Sequence, residues 1–115
     1  MNPKIEKHQA VVVALLEQFA KYTPANVKEI ENEIVADRER NHFQLTSVGW
    51  ANDNKFILDI IFHFDIKPDG KIWIQANWTD VDIAAELVER GVEKTDIVIG
   101  FQPPRYRQYT GYAVA

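Results

Sequence analysis

The sequence predicts an α+β fold: an N-terminal helix, a four-stranded, largely antiparallel sheet, a second helix and an extended C-terminal segment. Three observations lead there. Apolar residues recur at helical intervals near the start and again near residue 85. Between those stretches they mostly alternate with a period of two, and the alternating runs are joined by short turns. Strands joined by short turns pair antiparallel, and helices at either end of such a run cover one face of the sheet.

From Ile5 the residues Val12, Leu15, Leu16 and Phe19 make an apolar stripe, with Glu6, Lys7, Glu17, Gln18 and Lys21 at other angles. This predicts a helix from about Pro3 to Lys21, with proline at its start and Thr23-Pro24 as its stop. Asn26 to Asp37 alternates loosely, Ile30 and Ile34 against Glu29, Glu31 and Glu33, and reads as a half-exposed strand. In His42 to Trp50 the apolar parity changes, Phe43 and Leu45 on one side and Val48 and Trp50 on the other. A bulge or strong twist near Thr46-Ser47 produces such a change.

Lys55 to Ile66 is the clearest strand, with Phe56, Leu58, Ile60, Phe62, Phe64 and Ile66 all on one parity, read as the core face. Lys67-Pro68-Asp69-Gly70 is a turn, and Lys71 to Trp78 alternates again, so a hairpin with Ile72, Ile74, Ala76 and Trp78 inward is expected. Thr79, three residues ahead of Asp82, resembles a capping box. It precedes a helix from about Asp80 to Arg90, with Gly91 as a left-handed C-cap. Asp96 to Phe101 reads as a short buried strand or an extended packing segment, and Pro103-Pro104 ends it.

The length of 115 residues suits a single domain spanning 1–115, and 46% hydrophobic with 26% charged residues is a globular composition. Absence of cysteine excludes disulfides, thiolate metal sites and cysteine nucleophiles. The longest apolar run, Ala10 to Leu16, is too short to span a membrane and lacks the flanks of a signal peptide. A cytoplasmic protein without membrane contact is expected. A net charge of −4 disfavours strong non-specific DNA binding. The charge is uneven: acids crowd residues 29–39, whereas residues 97–115 hold Arg105 and Arg107 and no acid.

The sheet face opposite the helices is expected to carry Ile57, Ile61 and Trp73 beside Asp59 and His63, a mixture suited to a subunit or partner interface. On an unbroken strand Asp59, His63 and Asp65 share one side, with His63 and Asp65 about 7 Å apart. A histidine between two carboxylates suits a general base or a divalent metal, with His42 on a neighbouring strand able to approach. Against this, polar residues alternate by default on a solvated sheet face. His8 reads as a boundary residue of the first helix. Trp50, Trp73 and Trp78 suit an aromatic platform, but without an interleaved basic stripe they read better as core or interface. Arg105, Tyr106, Arg107 and Tyr109, with Trp73, form the candidate partner-binding set, since guanidinium forks meet acids or phosphates and tyrosines add contact area. The alternative is a packed tail whose arginines meet the acidic 29–39 segment. Phosphate loops, G-x-S-x-G, H-E-x-x-H and zinc spacings are absent. The motifs therefore assign no catalytic residue, no resident metal and no cofactor.

Gly70-Lys71-Ile72-Trp73-Ile74-Gln75, Thr79-Asp80, Glu86-Leu87-Val88-Glu89-Arg90-Gly91-Val92, Lys94 through Phe101 and Arg107 through Ala115 together resemble the XisI family. His42-Phe43-Gln44-Leu45, Val48-Gly49-Trp50 and His63-x-Asp65 also fit, so the resemblance spans nearly the whole chain. The chain departs from the family pattern at Asn77, usually acidic, and at Gln102, commonly histidine, which counts against a catalytic site built on either. The resemblance implies an α+β fold and a non-enzymatic controlling factor for site-specific excision of the fdxN DNA element in cyanobacteria. It also implies a protein partner, either a nuclease-like XisH protein or the recombinase, and the mixed sheet face adds the expectation of a homodimer. Two rival expectations are direct DNA binding at a recombination site, and a metal-assisted or acid–base enzyme using Asp59, His63 and Asp65.

Overall fold

The structure, a computed structural model, describes residues 2–22 and 29–115. The expected stop at Thr23-Pro24 and residues 26–28 of the first expected strand lie outside the described residues. Helix α1 is Pro3–Ala20; strands β1 Ile30–Asp37, β2 His42–Asn52, β3 Lys55–Ile66 and β4 Ile72–Asn77 follow. Helix α2 is Ile83–Glu89, β5 is Ile97–Ile99 and α3 is Pro104–Arg107. Among the described residues no helix is long and apolar enough to cross a membrane.

Asn2 caps α1, its side-chain oxygen accepting from the amides of Lys4 at 3.0 Å and Ile5 at 3.3 Å. The helix buries His8, Val12, Leu15 and Leu16. His8 is no boundary residue: it is enclosed, and its Nδ1–H donates to the Gly70 carbonyl at 2.6 Å, tying the helix to the β3–β4 turn. The second helix starts later than its sequence suggests. Asp82 is its N-cap and accepts from the Ala85 amide at 3.1 Å, while Thr79 instead closes a turn onto Asn77 and Val81. Gly91 takes φ +96°, as a left-handed C-cap requires.

The sheet has five strands in sequence order, not four, with β1 to β4 antiparallel. The fifth is the Ile97–Ile99 segment, parallel to β4, with α2 in the crossover that a parallel neighbour needs. The C-terminal segment is not wholly extended either, because Pro103-Pro104 opens the single turn of α3 and Ala113 bridges back to Val98. Phe43, Leu45, Phe62, Phe64, Ile66, Ile72 and Ile74 from the sheet pack with α1, α2, Val92 and Ile97 into one core. Gly49 sits where β1 begins, at φ +143°, and a Cβ there would run into the Glu29 carbonyl.

The decisive irregularity is a bulge in β3. Leu45 pairs with Phe62, but Thr46 pairs with Ile60, so Ile61 has no partner and the strand changes face there. Phe62, Phe64 and Ile66 stay in the core, whereas Phe56, Leu58 and Ile60 are 52%, 68% and 43% exposed. The expectation that all even-numbered side chains from Phe56 to Trp78 point inward therefore fails over the first half of β3, and Trp78 is exposed as well. The same bulge accounts for the parity change in β2. That strand pairs regularly with β1, and its Phe43 and Leu45 meet the core while Val48 and Trp50 stand across from Leu58 and Phe56 on the other face.

Candidate functional site

Two strand irregularities build the polar centre of the open sheet face. Before the bulge at Ile61 the odd residues of β3 lie on the core side; after it they lie on the open side, so His63 and Asp65 face away from α1. Asp59 does not join them. It lies beyond the bulge, exposed, where the alternation has been inverted, and the expected triad of Asp59, His63 and Asp65 is corrected on that ground. Its place is taken by His42, which pairs directly with Asp65 across β2 and β3.

A second bulge lies in β4. His63 pairs with Ala76 and Phe64 with Ile74, leaving Gln75 unpaired and its side chain free to lean over β3. Gly100 makes room for this amide, since a Cβ at that position would collide with it.

The resulting network centres on one carboxylate. His42 Nδ1–H and His63 Nε2–H donate to the same oxygen, Asp65 Oδ1, at 2.6 Å and 2.7 Å. Gln75 donates to Oδ2 at 3.2 Å, and the amide of Gln44 donates to His63 Nδ1 at 2.8 Å. Asp65 is largely enclosed, His63 partly so and His42 open to solvent. Burial raises the Asp65 carboxyl pKa, but hydrogen bonds from His42, His63 and Gln75 outweigh that cost and hold it below the ordinary carboxylate value. His42, His63 and Asp65 together offer three ligand atoms within 4.8 Å of one another.

Trp73 joins this cluster to the tail. It pairs with Asp65 across β3 and β4, and Lys67 and Arg107 approach its ring at 5.4 Å and 4.9 Å. Arg107 also donates to the carbonyls of Gln102 at 3.0 Å and Gly100 at 3.2 Å. It anchors the tail on the sheet by these contacts, not through the acids of residues 29–39. Arg105 stacks on Tyr106 at 4.8 Å, and Tyr106 and Tyr109 are exposed. Beyond the polar centre the open face is apolar: Trp50 packs on Phe56 at 5.2 Å, next to Leu58 and Ile60.

Gln44 and Gln75 escaped the sequence reading. Gln44 shares the parity of His42, a usable signal, but a bulge at Gln75 leaves no mark in the alternation of Ile72, Ile74 and Ala76.

These features define a class, an α+β protein whose helices back one face of an open sheet and leave a polar and apolar surface on the other. The XisI protein family model matches residues 1–114, and the chain belongs to that family. Its fold is similar to that of a XisI-like protein from Anabaena variabilis ATCC 29413, at 45% identity and a TM-score of 0.87, covering 96% of this chain and 99% of that one. It is also similar to the fdxN element excision controlling factor XisI of Anabaena variabilis ATCC 29413, at 25% identity and a TM-score of 0.82, covering 97% and 99%. No curated protein matches it.

Proposed function

We propose that this protein is a non-enzymatic controlling factor in site-specific excision of a DNA element, acting in the cytoplasm by binding another protein through the open face of its sheet. The supporting observation is the outer half of β3. Strand β4 pairs only with Phe62 to Ile66, so among the described residues the Lys55–Ile60 edge of β3 has no neighbouring strand beyond it. That edge carries exposed Phe56, Leu58 and Ile60. An unpaired apolar edge is a template for strand addition by a partner, and natural proteins rarely leave one uncovered. Arg105, Tyr106 and Tyr109 on the tail extend the surface, with Trp73 and Arg107 holding it in place. The controlling-factor role is supported by the family and by the name of the Anabaena relative. The partner is a XisH-like protein, with self-association as an accompaniment.

Co-purification with a purified XisH-like protein tests this reading. Phe56→Asp with Leu58→Asp should abolish the complex without loss of folding, and Arg105→Ala with Tyr109→Ala should weaken it. A complex indifferent to both double variants overturns the proposed surface. Binding instead to an element-boundary DNA, with an affinity that falls steeply as salt rises, would replace it with direct phosphate contact.

A further inference from the structure

We infer that His42, His63 and Asp65 form a binding site for a divalent transition-metal ion of the zinc and cobalt class, with His42 Nδ1, His63 Nε2 and Asp65 Oδ1 as its ligands. The proposal does not depend on the partner reading above.

The argument begins with convergence. Two imidazole nitrogens from adjacent strands point at a single carboxylate oxygen, at 2.6 Å and 2.7 Å. Hydrogen bonding to the carboxylate accounts for either contact alone, and the two together also place three ligand atoms around one point. Two histidines and a carboxylate are the donor set that borderline divalent ions select, and harder ions such as magnesium prefer oxygens alone. The size also fits. Ligand atoms about 2.0 Å from a tetrahedral zinc ion stand roughly 3.3 Å from one another. Here all three lie within 4.8 Å, and the two short contacts of 2.6 Å and 2.7 Å must open by roughly 0.6 to 0.7 Å to reach that separation. His42 is exposed and free to make that adjustment, whereas His63 and Asp65 are held.

The surrounding groups are already in the positions that metal ligands need. Gln75 occupies Asp65 Oδ2 and leaves Oδ1 as the single coordinating oxygen. Gln44 sits 2.8 Å from His63 Nδ1, the ring nitrogen opposite the ligating one. Metal at Nε2 moves the ring proton to Nδ1, and rotation of the Gln44 amide turns its oxygen to accept that proton. The proton on His42 likewise shifts to Nε2, so coordination by the neutral rings requires an exchange of tautomers together with that opening of the two contacts and the turn of the Gln44 amide. Three protein ligands leave the fourth position, on the exposed side, for water or an incoming donor.

The test is titration of tag-free protein with Zn²⁺ by calorimetry and with Co²⁺ by visible absorption, on wild type, His42→Ala, the His42→Ala and His63→Ala double variant, and Gln44→Ala. Wild type should bind one ion per chain with the visible band of a low-coordinate cobalt centre. The double variant should lose the band and the calorimetric site, with an unchanged circular dichroism spectrum showing that it still folds. Gln44→Ala should weaken binding by roughly 10- to 100-fold, as loss of an orienting partner does. Absence of binding to wild type, or binding that survives in the double variant, would overturn the assignment. Rescue of His42→Ala by His42→Cys, which restores a ligand atom, would distinguish coordination from a structural effect of the alanine.

Discussion

The two halves of β3 carry the same pattern of bulky residues on even positions and meet opposite environments. Phe62, Phe64 and Ile66 are sealed beneath α1 and against β2 and β4, while Phe56, Leu58 and Ile60 stand in solvent on the other side of the sheet. One residue separates the two regimes, because the unpaired Ile61 lets the chain step across the sheet while pairing with β2 resumes on either side of it. Alternation specifies which residues share a side within a continuous ladder. It says nothing about where the ladder slips, and a slip of one residue exchanges the faces.

That contrast can be broken most directly by truncation on each side of the bulge. Phe62→Ala should cost about 3 to 5 kcal/mol, because it removes a fully enclosed ring that touches Phe19 and Phe64 and leaves a cavity. Leu58→Ala should cost no more than about 0.5 kcal/mol, as exposed substitutions do. Urea denaturation measures both, and equal costs would mean that the faces are wrongly assigned.

Next in size is the junction that holds β1 to the sheet. Gly49→Ala forces a Cβ into the Glu29 carbonyl at a positive φ, and a loss of at least about 1 to 3 kcal/mol is expected from the same measurement. A neutral result would show that the β1 entry relaxes freely.

His8→Ala should cost about 1 to 3 kcal/mol, since it strands the enclosed Gly70 carbonyl that the imidazole satisfies. Thermal unfolding would show it, and His8→Gln, which restores a donor, should recover part of the loss.

The smallest effect concerns acid. The Lys71 backbone amide and then its ammonium hold the Asp69 carboxyl below its ordinary pKa at the β3–β4 turn. Because the folded value is depressed, this stabilisation is present above the unfolded carboxylate pKa of about 3.9 and disappears as pH falls through the lower folded value. Asp69→Asn should therefore lower the urea midpoint slightly near neutrality and not at all once the wild-type carboxylate is protonated. A difference that persists in strong acid would assign the effect to turn geometry.

Much of the fold was legible because local chemistry carries it. Pro3 opens α1, Gly91 ends the α2 region in a left-handed cap, and Pro68-Asp69-Gly70 turns β3 into β4, each through backbone preferences that act within a few residues. The fifth strand was only half legible, since three residues of Ile-Val-Ile are too short to show a period and owe their strand character to β4 beside them. The site was legible in part. His63-x-Asp65 shares a side by local spacing alone, and the approach of His42 follows from neighbouring strands. Asp59 was misplaced because the bulge at Ile61 lies between it and His63, and Gln75 was missed because its reach over β3 depends on a second bulge and on the space above Gly100.

The chain alone therefore determined its two longer helices, the hairpin of β3 and β4 and its family, because each is written in side-chain chemistry at short range or in identities along the chain. Only the folded structure decided which side of the sheet each half of β3 faces and that Gln75 and Gln44 complete the network of His42, His63 and Asp65. Register is a bargain between distant strands: a ladder can absorb one extra residue at small cost when doing so seats Phe62, Phe64 and Ile66 beneath α1, and no stretch of sequence states that balance by itself.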